Sequence, residues 1–319
     1  MASDNVFLIT GANAGLGKDV ARQLAVHSDA DTVYLACRDA VKGEAARADL
    51  ERTTGRRVFK LLNMDTADLG SVQAAVKTID QPLRAVLLNA GGTGGRNPLA
   101  LTRSGATTIF ASNVLGHVAL LESLIKLRLL TETAVLTGSE AARGVPKLRI
   151  KRPMFASRSV EEFSSVIDGS YFSARKFDSA LAYAQVKYLG ALWISALARR
   201  NPDLRLLTVS PGNTSGTGAL RDMAPIPRLV MQRIVMPYVA PLFGISHPLE
   251  VGAKRLADAM VDGGLPTGGF YASAADTLTG PLVDQSCILA DFADTAAQNN
   301  AYEAVHRFLP PAPGACASG

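Results

Sequence analysis

The first 28 residues leave this chain few ways to fold. Residues 5–10 read NVFLIT, a short apolar run that suits a strand covered on both faces. Gly11-Ala12-Asn13-Ala14-Gly15-Leu16-Gly17 follows at once, and residues 19–28 then read as a helix. A strand, a glycine-rich turn and a helix together make an anion cradle. The glycines let backbone approach a pyrophosphate, whose charge sits at the helix N-terminus. A tight turn needing positive φ would use the same glycines, so the spacing draws its weight from its flanks.

Further strands follow at the rhythm of an α/β sheet, predicted at 32–37, 57–62, 85–88, 134–137, 204–209 and 267–272. Helices are predicted between and after them at 40–52, 69–79, 107–130, 178–199, 247–263 and 291–308. The expected fold is α/β, a Rossmann-type doubly wound parallel sheet of about seven strands with helices on both faces. A single domain over residues 1–309 accommodates them, with 310–319 as a frayed tail.

The strand tips carry the candidate chemistry, because sheets of this kind bind ligands beyond their carboxyl ends. The second strand ends in Ala36-Cys37-Arg38-Asp39. An acidic residue there holds an adenosine ribose, whereas an arginine accommodates a 2′-phosphate. Asp39 is a candidate for the first role; Arg38 is the preferred reading and implies NADP(H). Asp65, at the third tip, can accept from an adenine amino group, or merely cap the next helix, for which Asp68 is already suited. The fourth strand runs into Asn89-Ala90-Gly91, small residues against which a flat ring can lie. Asn113 sits inside a predicted helix, an unfavourable place that invites a special role. Ser139 stands just past the fifth strand, and Ser210-Pro211-Gly212-Asn213-Thr214 past the sixth.

On the helix predicted at 178–199, Tyr183 and Lys187 are four residues apart and share a face. A tyrosine is a poor acid or base at neutral pH because its ordinary pKa is about 10. A neighbouring ammonium favours the phenolate, and bringing the pKa to about 7 takes roughly 4 kcal/mol. Any surface helix can carry such a pair, so its weight comes from the other motifs.

Those motifs together resemble the short-chain dehydrogenase/reductases. The matching pieces are TGANAGLG at 10–17, Asp65, NAG at 89–91, Asn113, Ser139, YAQVK at 183–187 and PG at 211–212, in the family's order over about the first 215 residues. Within the family the chain is similar to the NADP-preferring branch that includes retinol dehydrogenases and light-dependent protochlorophyllide oxidoreductase. ACRD at 36–39, LTGSEA at 136–141, residues 166–187 and PGNTSGTGALRDM at 211–223 carry that likeness. Three positions depart from the photoenzyme: Asn213 in place of its Cys, Ala184-Gln185-Val186 without its second lysine, and Ser139 where it tends to have Thr. They favour an ordinary dark reductase.

The resemblance implies a catalytic set of Asn113, Ser139, Tyr183 and Lys187. Tyr183 would protonate a carbonyl oxygen as hydride arrives, Ser139 would hold that oxygen, and Lys187 would lower the Tyr pKa and hold the nicotinamide ribose. Asn113 would hold a water linking Lys187 to solvent. NADP(H) contacts are implied at Gly11, Asn13, Gly15, Leu16, Gly17, Arg38, Asp65, Asn89, Ala90, Gly91, Tyr183, Lys187 and Thr214. The family's usual threonine after the Pro is Gly216 here, with Thr217 beside it. The expected activity is NADPH-dependent reduction of a carbonyl on a bulky apolar substrate, polyketide-, terpenoid- or retinoid-like. Alternatives are light-dependent reduction of a tetrapyrrole double bond, oxidation of a bulky alcohol, and a non-catalytic NADPH sensor or scaffold.

Two segments fall outside the common frame. Residues 143–158 (RGVPKLRIKRPMFASR) hold six basic residues and no acidic one, within an insertion near 143–177. They read as a solvated insertion, or as an electropositive lip for an anionic substrate, an acyl-carrier partner or a membrane surface. Residues 223–245 carry Met223, Met231, Met236, Tyr238 and Phe243, adaptable apolar side chains suited to a substrate lid near 215–245.

The remaining composition mainly excludes. A net charge of +5 does not argue for nucleic acid, and 48% apolar with 19% charged residues fits a globular core. Cys37, Cys287 and Cys316 are widely spaced, as are the four histidines, so no metal-ligand or disulfide pattern emerges. Reduced thiols in a cytoplasmic setting fit, with no signal peptide and no apolar run of about 20 residues. Residues 226–245 come closest to one but are broken by Arg and Pro. Peripheral membrane contact and either monomer or homodimer stay open.

Overall fold

The computed structural model describes residues 5–146, 149–214 and 246–310. The expected lid at 215–245 and the tail beyond 310 lie outside the described residues.

Seven strands run parallel: β1 (Val6–Thr10), β2 (Thr32–Cys37), β3 (Phe59–Asn63), β4 (Leu83–Leu88), β5 (Leu130–Thr137), β6 (Arg205–Val209) and β7 (Phe270–Ala272). Their order is β3-β2-β1-β4-β5-β6-β7, and β8 (Val283–Asp284) closes the edge antiparallel to β7. The sequence reading missed β8, because two residues show no periodicity. Strand order reverses between β1 and β4, which opens a crevice at the strand tips.

Two apolar layers hold the sheet. On one face α1 (Gly15–His27) and α7 (Leu249–Val261) pack together, burying Val20, Leu24, Leu256 and Met260. The other face carries α3 (Leu69–Val76), α4 (Thr108–Lys126), α5 (Val160–Ile167), α6 (Ser179–Arg200) and α8 (Thr295–His306). The central α6 is buried on nearly every side, so its Trp193 satisfies its indole N–H on Glu122 at 3.3 Å. Asp39, Asp68, Ser159, Asp178 and Asp294 cap α2 (Ala40–Thr54), α3, α5, α6 and α8.

The helix predicted at 107–130 is not continuous. It is α-helical at Thr108–Phe110, widens into a π turn at Ala111–Leu115, and resumes at Gly116–Lys126. By length and composition Thr108–Lys126 could cross a membrane, but 67% of its apolar window is buried inside, as in a core helix.

The basic insertion proves to be packed structure. Ser159 accepts from Glu162 N (3.2 Å) and starts α5, whose Phe163 meets Phe155 edge-on at 5.1 Å. Of its basic residues, Arg152 and Arg158 pair with Asp291, at 3.4 and 3.1 Å. Arg143 is buried and donates to Gln285 Oε1 (2.7 Å) and to the carbonyls of Ala275 (2.7 Å), Ala274 (3.0 Å) and Thr277 (3.2 Å). Arg143 is thus spent inside the fold, whereas Arg152 and Arg158 are ion-paired but stay at the surface.

Candidate active site

At the crevice the tips of β1, β2, β4, β5 and β6 line a cleft of about 1440 Å³. That exceeds the roughly 300–1,000 Å³ of ordinary small-molecule pockets. Thr10, Gly11, Asn13, Gly15 and Leu16 line one end, and Arg38 and Asp65 stand beside them. Asn89, Ala90 and Gly91 lie in the middle, with Ser139, Tyr183, Lys187 and Thr214 at the other end.

The cradle suits a nucleotide pyrophosphate. Helix α1 begins after Ala14 with no side-chain cap, so its first N–H groups are left for an anion. Gly11 and Gly15 have φ of +68° and +56°, and open space lies where a Gly15 Cβ would be. Gly17 has a different task. It lies outside the cleft lining, and its Cβ would come within 2.6 Å of Gly11 O and 2.8 Å of Asn89 Nδ2. It lets the start of α1 press against the β1 and β4 tips.

At the β2 tip, Asp39 caps α2 through Lys42 N (3.1 Å) and pairs with Lys42 Nζ at 2.9 Å. Its carboxylate is thereby occupied. Arg38 is 76% exposed and reaches Asp65 only at 3.8 Å. Asp65 also accepts from Ala67 N at 3.0 Å.

The reacting end is built on β5 and α6. Ser139 is extended (φ −161°); its hydroxyl accepts from Ala141 N at 3.2 Å, and it lines the cleft together with Tyr183. Tyr183 is half-buried. Lys187 Nζ donates to Thr137 O at 2.9 Å and stands 5.6 Å from the Tyr183 ring centre.

The expected lowering of the tyrosine pKa is not what the site shows. Burial pushes Tyr183 up to about 12; the neighbouring Ser139 hydroxyl opposes this and the Glu140 charge adds to it. Burial alone brings Lys187 down to about 8. Desolvation dominates, and the phenol keeps its proton.

Asn113 is held on both sides. Its amide nitrogen donates to Gly92 O and to Ile109 O, both at 2.8 Å, and its oxygen accepts from Gly92 N at 3.1 Å. The side chain is a staple between the π turn and the β4 loop. π turns of this sort often mark functional sites. Asn89 likewise spends its amide on Thr10 O at 3.0 Å.

Sequence reasoning missed Glu140. It is buried beside Ser139, accepting from Ser210 Oγ (2.6 Å) and Ser273 N (3.2 Å), and so ties the β5, β6 and β7 tips together. A carboxylate directly after a candidate serine was the available signal.

Fold and cleft define a Rossmann-type α/β protein whose strand tips gather a serine, a tyrosine and a lysine. Residues 5–142 match the family model described as short chain dehydrogenase. The chain belongs to the short-chain dehydrogenase/reductase family. It is 29% identical to Retinol dehydrogenase 11 of Homo sapiens over 199 residues, covering 61% of this chain and 56% of that one. It is 30% identical to Dehydrogenase/reductase SDR family member 12 of Bos taurus over 220 residues, covering 68% and 63%. The chain thus spans little more than half the length of the retinol dehydrogenase. The solved structure of salutaridine reductase from Papaver somniferum shares the fold, with a TM-score of 0.59 at 18% identity over 84% of this chain and all of that one.

Proposed function

We propose that this protein is an NADP(H)-dependent oxidoreductase that reduces the carbonyl of a bulky, largely apolar substrate. One observation carries the reading: Tyr183, with Lys187 Nζ 5.6 Å from its ring centre and Ser139 at the β5 tip, lines the same cleft as the uncapped start of α1. When bound, a nicotinamide nucleotide supplies the hydride. Tyr183 gives its proton to the carbonyl oxygen, and Ser139 donates to that oxygen as charge develops. Lys187, held by Thr137 O, keeps a positive charge beside the phenol as it loses its proton. Burial keeps the phenol protonated at neutral pH, which is the form a donor to a carbonyl oxygen must start from.

The phosphate preference rests on Arg38, exposed and free to turn toward a 2′-phosphate, while Asp39 is consumed by its cap. The substrate class rests on Val145, Ile150, Ala180 and Leu278 in the cleft wall and on the methionine-rich 223–245 sequence. The relative named for retinol, an apolar polyene alcohol, points the same way. Free thiols at Cys37 and Cys287 support a reducing, cytoplasmic setting.

The test is consumption of NADPH against NADH with a panel of polycyclic and polyene carbonyls, in wild type and Tyr183→Phe. The variant keeps nucleotide binding and loses about 10²–10⁴-fold in turnover. Turnover near wild type refutes the role of Tyr183.

A further inference from the structure

Two residues past the π turn of α4 stands His117, with no exposed surface. Its Nε2 is 3.0 Å from Thr10 Oγ1, and its Nδ1 is 3.0 Å from Asn113 O. Counting protons settles which nitrogen carries one. Thr10 Oγ1 already accepts from Asn89 N (2.7 Å) and Ala90 N (2.8 Å), so both of its lone pairs are used. Its own proton is left to give, toward His117 Nε2 at 3.0 Å or Leu87 O at 3.3 Å. A proton on Nε2 would face an oxygen with nothing to offer it. Nε2 therefore accepts, and Nδ1–H donates to the Asn113 carbonyl.

We propose that His117 is a positioning residue for the nucleotide, a neutral Nδ1–H imidazole that fixes the cleft floor at Asn89–Gly92. This rests on the NADP(H) reading above. The imidazole orients the Thr10 hydroxyl, which grips the backbone of Asn89 and Ala90. It also holds the carbonyl of Asn113, whose amide grips Gly92. One side chain thus sets both ends of the loop that lines the middle of the cleft. Burial pushes His117 down to about 3, and the nearby Lys187 charge adds to that, so the imidazole stays neutral at working pH.

Two measurements test this. In ¹⁵N spectra of the whole protein, the His117 ring shows a protonated Nδ1 and a bare Nε2, unchanged from about pH 5 to 8. An Nε2–H ring, or titration in that range, overturns the proposal. NADPH affinity, followed by nucleotide fluorescence without turnover, gives the second. His117→Leu leaves Asn113 O without its donor and weakens binding about tenfold; His117→Gln, which can still accept from Thr10, recovers to within about threefold. A purely structural role would lower Tm in both variants and leave affinity unchanged, which overturns the proposal. Should His117→Leu not fold, Thr10→Val against Thr10→Ser reads the same contact from the other side. The Val variant binds NADPH about tenfold more weakly and the Ser variant as wild type; equal affinity overturns the proposal. Wild-type protein that binds neither NADPH nor NADH sinks the functional reading and this inference with it. Wild-type binding with unaffected variants sinks this inference alone.

Discussion

Replacing Lys187 by methionine should make the protein more stable at neutral pH while stopping its chemistry. The ammonium is buried, and burial brings its pKa from 10.5 to about 8. Holding the charge inside the fold therefore costs about 3 kcal/mol. Methionine removes that cost but gives up the hydrogen bond to Thr137 O, worth about 1 kcal/mol. The variant should gain about 2 kcal/mol at pH 7. The sign follows from proton counting. Between pH 8 and 10.5 the folded state binds fewer protons at Lys187 than the unfolded state, so wild-type stability rises with pH across that window. The variant's advantage is flat below about pH 8 and shrinks above it. Urea unfolding of both proteins without nucleotide, from about pH 6.5 to 10, measures it. A variant less stable at pH 7, or an advantage that does not fall above pH 8, refutes the reasoning. In wild type the reduction rate should fall along a single limb above about pH 8, since Tyr183 stays protonated up to about 12.

Arg38→Ser should raise the KM for NADPH about tenfold or more and leave that for NADH unchanged, measured by steady-state kinetics with both nucleotides. Equal effects on the two would remove Arg38 from the phosphate site. At the far side of the protein His306 Nε2 meets Glu122 Oε2 at 2.9 Å. Burial opposes the charged imidazole, but the hydrogen bond and charge of Glu122 lift its pKa above 6.5. That stabilisation is full below the unfolded pKa and is lost as pH rises through the folded one. Glu122→Gln should therefore destabilise by up to about 1 kcal/mol at pH 5.5 and less at pH 8.5, read from thermal unfolding. The same loss at both pH values would exclude the ion pair.

The frame of the molecule was readable because strands buried on both faces announce themselves: residues 32–37 were expected as a strand, and β2 is Thr32–Cys37. The helix expected at 178–199 is Ser179–Arg200. Helix α5 was readable too, and was missed: Ser159 and Glu162 form a capping signature ahead of Phe163, Val166 and Ile167. The basic run before it pointed to solvent, although its arginines find partners more than 130 residues away. The π turn could not be read locally, since it goes with an amide bonded to Gly92, 21 residues earlier. His117 looked like any helical histidine because its partner Thr10 is 107 residues distant. The pKa of Tyr183 was misjudged for a related reason. Helical spacing shows which charge is near, whereas only the assembled fold shows how much water has been lost.

The grip of Arg143 ties the site to the order in which the chain is made. It lies four residues past Ser139, yet the carbonyls it gathers belong to residues 274–277, synthesised some 130 residues later. A ribosome-bound chain that had finished β5 would carry an unfilled guanidinium beside its serine. The wall of the cleft hardens only when residues 274–277 have been made and have folded back onto the β5 tip, so the serine's surroundings cannot set before that stretch arrives.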